Sequence, residues 1–171
     1  SSGTPYLYED SPGVRKVHYY GQWFNGVELH YDAEDDLLMT REVNGALRMS
    51  LVKEKVGEFF LGSRKFVQIP GIGYCEILYE GRHLVLIKWQ KVLIRQGAQE
   101  PFYRTYKRVF ASENGIMTEV AGRKDLLRYI DPKKTKIATD QLRRMSSELK
   151  TDFPAAAAGF MAFVDLNVLY D

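Results

Sequence analysis

Over its first 120 residues the chain alternates apolar and polar side chains in short runs, the pattern of strands with one buried face. Val14 to Tyr20 is β-branched and aromatic, bounded by Pro12-Gly13 and Gly21. Val27 to Asp32 alternates strictly, and the acidic link Ala33-Glu34-Asp35-Asp36 leads to a strand over Leu37 to Val43. Asn44-Gly45 supplies the two positive-φ positions of a tight hairpin turn, after which Leu47 to Val52 returns. Further strands are predicted at Val56 to Leu61, Lys65 to Ile69 and Tyr74 to Tyr79. A long strand over Arg82 to Gln96 passes through a loop at Gly97 to Pro101 to a partner over Phe102 to Phe110. Asn114-Gly115 marks another turn, and Ile116 to Val120 closes the set. Short strands with turn signals at this spacing predict an antiparallel β-barrel or sandwich of about nine or ten strands.

The period then becomes helical. Arg123 to Ile130 reads as a short helix, and Asp131-Pro132 supplies an N-cap and a first-turn proline for the next. Ala138, Leu142, Met145 and Leu149 recur on one helical face. Thr151-Asp152-Phe153-Pro154 repeats the start signal, and Phe153, Ala157, Phe160, Met161 and Val164 trace a last apolar face. The pattern predicts a mainly β (α+β) chain, with an antiparallel β domain over residues 1–121 and a C-terminal helical appendage over 122–171 packed on it.

Composition narrows the class. The chain has 171 residues, 45% hydrophobic and 27% charged, as a globular protein does. Its longest uncharged apolar stretch, Phe153 to Val164, falls well short of the ~20 residues a membrane helix needs. No signal peptide is read, and a start of Ser1-Ser2-Gly3-Thr4 without Met fits a processed, trimmed or tagged chain. One cysteine, Cys75, rules out an intramolecular disulfide framework or a thiolate zinc site, and its strand context reads as a small buried hydrophobe.

The motifs of common chemistries are missing or incomplete. His18, His30 and His83 share no ligand spacing. His18 and His30 could meet across adjacent strands and, with Glu28 or Asp32, make a metal site, against the reading of a solvated polar face opposite Val27, Leu29 and Tyr31. Gly71-Ile72-Gly73 lacks the Lys-Ser/Thr of a phosphate loop, and Glu34-Asp35-Asp36 lacks the rest of a calcium loop. No Gly-x-Ser-x-Gly elbow occurs. Glu76 and Glu80 are the type of carboxylate pair a glycosidase uses. No cofactor is expected.

Charge is distributed unevenly. The net charge is +2, but residues 1–81 carry −4 and residues 82–108 carry +6. In the basic stretch cations alternate with aromatic residues, a mixture found on sheet surfaces that bind partners or single-stranded nucleic acid. The candidate partner-binding residues are Trp89, Arg95, Phe102, Tyr103, Arg104, Tyr106, Lys107 and Arg108.

Phe59 to Pro70 reads Phe-Phe-Leu-Gly-Ser-Arg-Lys-Phe-Val-Gln-Ile-Pro, and Gly73 to Gly81 reads Gly-Tyr-Cys-Glu-Ile-Leu-Tyr-Glu-Gly, followed by Leu84-Val85-Leu86-Ile87-Lys88. This resembles a family of uncharacterised exported β-rich proteins of Bacteroidota, in which a short Leu-Leu helix and a two-helix tail follow the β body. Asp125-Leu126-Leu127 and the helices after Asp131 look like that tail, and the likeness runs from about Gly26 to Asn167. A short Gly97–Pro101 link and an alanine-rich last helix depart from the family pattern. The resemblance carries no catalytic residues. It implies a periplasmic, outer-membrane-associated or secreted location and no enzymatic activity. The expected function is that of a non-enzymatic binding or scaffold protein of a bacterial cell envelope, acting through protein–protein contacts. Its partner would be another envelope protein, with a glycan or lipid headgroup second and nucleic acid last. The alternatives are a hydrolase of envelope or glycan substrates using acidic residues, and a polyanion- or nucleic-acid-binding module using the hairpin at 82–108.

Overall fold

The computed structural model describes residues 3–41, 45 and 48–171. Among them are twelve strands in two antiparallel sheets, neither closed into a barrel, followed by short helices. One sheet has the order β1-β4-β5-β6, from Tyr6–Leu7, His30–Asp32, Leu37–Arg41 and Arg48–Ser50. The other has the order β12-β11-β10-β9-β8-β7-β2-β3. Its strands in chain order are β2 Arg15–Tyr19, β3 Gln22–Asn25, β7 Val56–Leu61, β8 Arg64–Ile69, β9 Gly73–Glu80, β10 Leu84–Ile94, β11 Phe102–Glu113 and β12 Ile116–Val120.

All ten strands read from the alternation are present. The two additional ones are β1, of two residues, and β3, whose four residues are all exposed and so lack an apolar face. The β5–β6 hairpin pairs Met39 with Ser50 and Arg41 with Arg48, while Asn44 of its predicted turn lies outside the described residues.

The chain divides into two compact units, Ser1–Glu76 with Trp89–Lys107, and Ile77–Lys88 with Arg108–Asp171. In the first unit both sheets supply the core: Tyr31 and Leu38 from one, Val17, Phe59, Phe66 and Tyr74 from the other. This is the sandwich solution, in which the two inner faces bury each other's alternate side chains. Phe59 lies opposite Phe66 in register, and their rings stack at 4.7 Å. The Tyr31 hydroxyl donates to Asp36 Oδ1 at 2.6 Å, which satisfies a phenol buried in that core.

The β7–β8 turn depends on a missing side chain. Gly62 has φ +65, and a Cβ there would stand 2.5 Å from the Pro12 carbonyl oxygen. Gly62→Ala combines a left-handed residue with a backbone overlap, and an expected loss of at least ~2 kcal/mol follows. A lower urea midpoint at unchanged slope would record it.

In the second unit the helical segments share one core with β-strands, drawn from Val85, Val109, Ala111 and Val120 and from Leu126, Leu142, Ala157, Phe160 and Val164. Arg123–Leu126 is α-helical (α1) and runs into a 3-10 turn at Leu127–Tyr129, where the Tyr129 hydroxyl donates to the Ala111 carbonyl at 3.0 Å. The predicted face from Ala138 to Leu149 is divided at Met145 between α2 (Thr135–Arg144) and α3 (Ser146–Thr151). Asp131 and Asp152 act as caps, accepting from the Lys133 and Ala155 N–H groups, and each has a proline in the first turn that follows it. α4 (Phe153–Leu166) buries Ala157, Phe160, Met161 and Val164 as the spacing predicts. Among the described residues no helix is long and apolar enough to cross a membrane.

Candidate functional site

In the first unit the arms Trp89–Ile94 of β10 and Phe102–Lys107 of β11 are joined by the loop at 95–101. Alternation along β11 puts Tyr103, Thr105 and Lys107 on one side and Phe102, Arg104 and Tyr106 on the other.

Two of the candidate aromatic residues are tied to the fold by buried or paired carboxylates. Trp89 donates its Nε1–H to Glu76 Oε1 at 2.9 Å. The same oxygen accepts from the Tyr8 hydroxyl at 2.8 Å, and Arg64 pairs with Oε2 at 3.0 Å. Glu76, 3% exposed, is therefore an acceptor with three donors; Glu80 is exposed and belongs to the second unit. Lys107 Nζ lies over the Trp89 ring at 5.1 Å. Tyr103 donates to Glu34 Oε1 at 3.1 Å.

Two cations of the basic stretch are likewise engaged. Lys91 Nζ donates to the carbonyls of Tyr6 and Thr4 at 2.7 and 3.0 Å, and burial lowers its pKa from the ordinary lysine range. Arg108, in the second unit, forks onto both oxygens of Glu119 at 2.8 to 3.3 Å. Those hydrogen bonds hold the Glu119 carboxyl below its ordinary pKa.

Phe102, Arg104, Tyr106 and Arg95 compose the remaining surface. Arg95 is exposed, at the start of the loop. The residues from Arg104 to Arg108 are all exposed, a run of five in a strand that therefore has neither side covered there. Tyr106 is 43% exposed and the Arg104 guanidinium sits 5.8 Å from the Phe102 ring centre. Residues two apart on a strand are about 7 Å apart, so Phe102, Arg104 and Tyr106 form an aromatic–cation–aromatic row. Such a row can stack on a planar group while its guanidinium takes a carboxylate or phosphate.

The sheet topology corrects the proposed pairing of histidines. His18 is on β2 and His30 on β4, in different sheets, so they are not cross-strand neighbours. His30 Nδ1 bonds to Glu9 at 2.7 Å and its Nε2 is 3.7 Å from Glu28, while His18 packs edge-on against Trp23. Asp32, Glu34 and Asp35 do bring carboxylate oxygens within 4.8 Å of one another. Asp32 Oδ1 accepts the N–H groups of Glu34 and Asp35, which is the geometry of an Asx turn.

One cluster has no signal in the sequence reading. In the second unit His83 Nδ1 is 2.5 Å from Asp165 Oδ1, across 82 positions of chain. Asp165 Oδ2 also accepts from the Tyr79 hydroxyl at 2.7 Å and the His83 N–H at 3.1 Å. Burial raises the Asp165 pKa, but the bonds from Tyr79 and His83 outweigh it and leave the carboxyl below its ordinary value. His83 lines a cavity of about 260 Å³ with Arg82, Glu113, Asn114, Tyr170 and Asp171. The cluster fastens the last turn of α4 to the turn before β10. Comparison with protein-family models, with curated proteins and with solved structures returns no match.

Proposed function

We propose that this chain is a non-enzymatic binding module of a bacterial cell envelope that holds an acidic surface of another envelope protein on the Phe102–Lys107 arm. The observation that carries the reading is the run of exposed residues from Arg104, with Tyr106 at 43% exposure on a strand whose two sides are both open. Packing gives no reason for an aromatic ring there, and arginine and tyrosine are the residues that dominate binding energy at protein interfaces. Export is supported by the resemblance of the Gly26–Asn167 stretch described above.

A protein partner is favoured over nucleic acid because the basic stretch is partly spent. Lys91 and Arg108 are engaged within the fold, so Arg95, Arg104 and Lys107 supply the local positive charge. A polyanion would be held by few phosphate contacts.

The test is titration of partners recovered from an envelope fraction at two ionic strengths, with Arg104→Ala and Tyr106→Ala beside the wild type. Each substitution should weaken binding about tenfold, the scale of ~1.4 kcal/mol. Raising the salt should weaken the wild type modestly and Arg104→Ala less, because the Debye length is then ~8 Å or shorter. A salt slope matching many released counterions would replace the protein partner with nucleic acid. Unchanged binding by both variants would reduce the arm to a fold element.

A further inference from the structure

The turn between β2 and β3 has a tyrosine where the backbone favours asparagine or glycine. Tyr19 pairs with Gln22, so Tyr20-Gly21 is a two-residue hairpin loop, and both residues have positive φ, +50 and +77. Turns of this class prefer Asn-Gly, and a bulky residue in the left-handed region is an outlier. The tyrosine is not compensated by burial, since it stays 60% exposed with its ring edge-on to Tyr19. Exposed strain of this type gathers at functional sites.

A second irregularity adjoins it. On β2 and β7, Val17 pairs with Phe59 but Tyr19 pairs with Val56, so Gly57 and Glu58 together oppose His18. A bulge re-aims side chains, and here it lays the imidazole over Gly57, where a Cβ would come within 2.6 Å of Nδ1. On the other side Trp23, 44% exposed, meets the His18 ring edge-on at 5.3 Å. His18, Tyr20, Glu54, Lys55 and Gly57 line an open groove of about 400 Å³.

The geometry points to a saccharide-binding site in this groove, formed by Tyr20 as the stacking ring, with Lys55 Nζ 5.5 Å from its centre, and by His18, Glu54 and Lys55 as hydrogen-bonding groups, while Trp23 backs the His18 imidazole from outside the groove. The carboxylate of Glu54 and the ammonium of Lys55 balance, so the groove selects neither an anion nor a cation by net charge. Its walls are too polar for an acyl chain, which would leave those groups desolvated and unpaired. A sugar ring matches both features, with an apolar C–H face for an aromatic ring and hydroxyls for the polar groups. The volume lies within the ~300–1,000 Å³ of small-molecule pockets. None of the arm residues is used, so this reading stands apart from the one above.

The test presents the purified protein to an immobilised panel of hexose and N-acetylhexosamine oligosaccharides, with Tyr20→Asn, Trp23→Ala and Arg104→Ala as variants. The wild type and Arg104→Ala retain at least one oligosaccharide alike. Tyr20→Asn, which installs the favoured Asn-Gly turn, loses at least tenfold in binding while its thermal midpoint stays equal or rises. Trp23→Ala, which removes only the ring backing the His18 imidazole, loses a smaller factor. A wild type that retains no member of the panel overturns the proposal, as does a Tyr20→Asn protein that binds normally. A lowered midpoint in Tyr20→Asn would also overturn it, because the ring would then be serving the fold.

Discussion

Phe59→Ala will remove ~4 kcal/mol from the stability of the first unit and leave it close to its unfolding threshold. Phe59 has no exposed surface, stacks on Phe66 at 4.7 Å and 3°, and meets Tyr74 edge-on at 5.3 Å and Tyr31 at 6.0 Å. Truncating a buried phenylalanine to alanine costs ~3–5 kcal/mol, because the surrounding rings cannot collapse into the void. Whole domains have only ~5–15 kcal/mol in hand. Phe60→Ala is the internal control. Its ring is only partly buried and lies under Lys16 Nζ at 4.5 Å on the opposite side of the strand, so it should cost ~1 kcal/mol or less. Urea denaturation of both variants measures the difference, and equal losses would mean that the Phe59–Phe66 stack is not the centre of this core.

Asp165→Ala should cost the second unit ~3–4 kcal/mol and change its acid limb. The carboxylate accepts three hydrogen bonds, from the Tyr79 hydroxyl and from the His83 N–H and imidazole, and truncation leaves those groups without their acceptor. Each loss at a buried site is worth ~1–3 kcal/mol. Because the folded pKa of Asp165 is depressed, its contribution is fully present above the unfolded-state value near ~3.9 and disappears as pH falls through the folded value. Wild-type stability should therefore decline below about pH 4, and the decline should be shallower in Asp165→Ala. Parallel acid limbs in the two proteins would show that the carboxyl is not held ionised by these donors.

The strands were legible wherever one face is wet and the other buried. Leu37 to Arg41 announces itself because Leu38 points inward, while Gln22–Asn25 does not, since all four of its residues are exposed and no alternation marks the edge. The helix starts were legible because Asp131-Pro132 and Asp152-Pro154 are local signals that act within one turn. The candidate arm was legible as composition alone. Which of its cations were already committed depends on residues far away in sequence, such as Tyr6 for Lys91, and pairing at that range leaves no periodic trace. His83 and Asp165 meet for the same reason without a motif. The Tyr20-Gly21 turn did leave a trace, a glycine after a tyrosine at a strand end, but only the observed φ of +50 makes it unusual.

Three strands, β9, β10 and β11, each begin in one compact unit and end in the other. The consequence concerns the order of events at the ribosome. The first unit lacks its last two arms until Lys107 has emerged, and the stretch Ile77–Lys88 emerges well before the helices that share its core. The first unit can complete itself only after Ile77–Lys88 of the second has been made, so that segment waits without the rest of its core through a stretch of synthesis that the usual domain-by-domain succession avoids. The apolar run Leu84–Ile87 is synthesised early and covered late, and a nascent chain stalled near residue 107 would expose it to any holdase nearby.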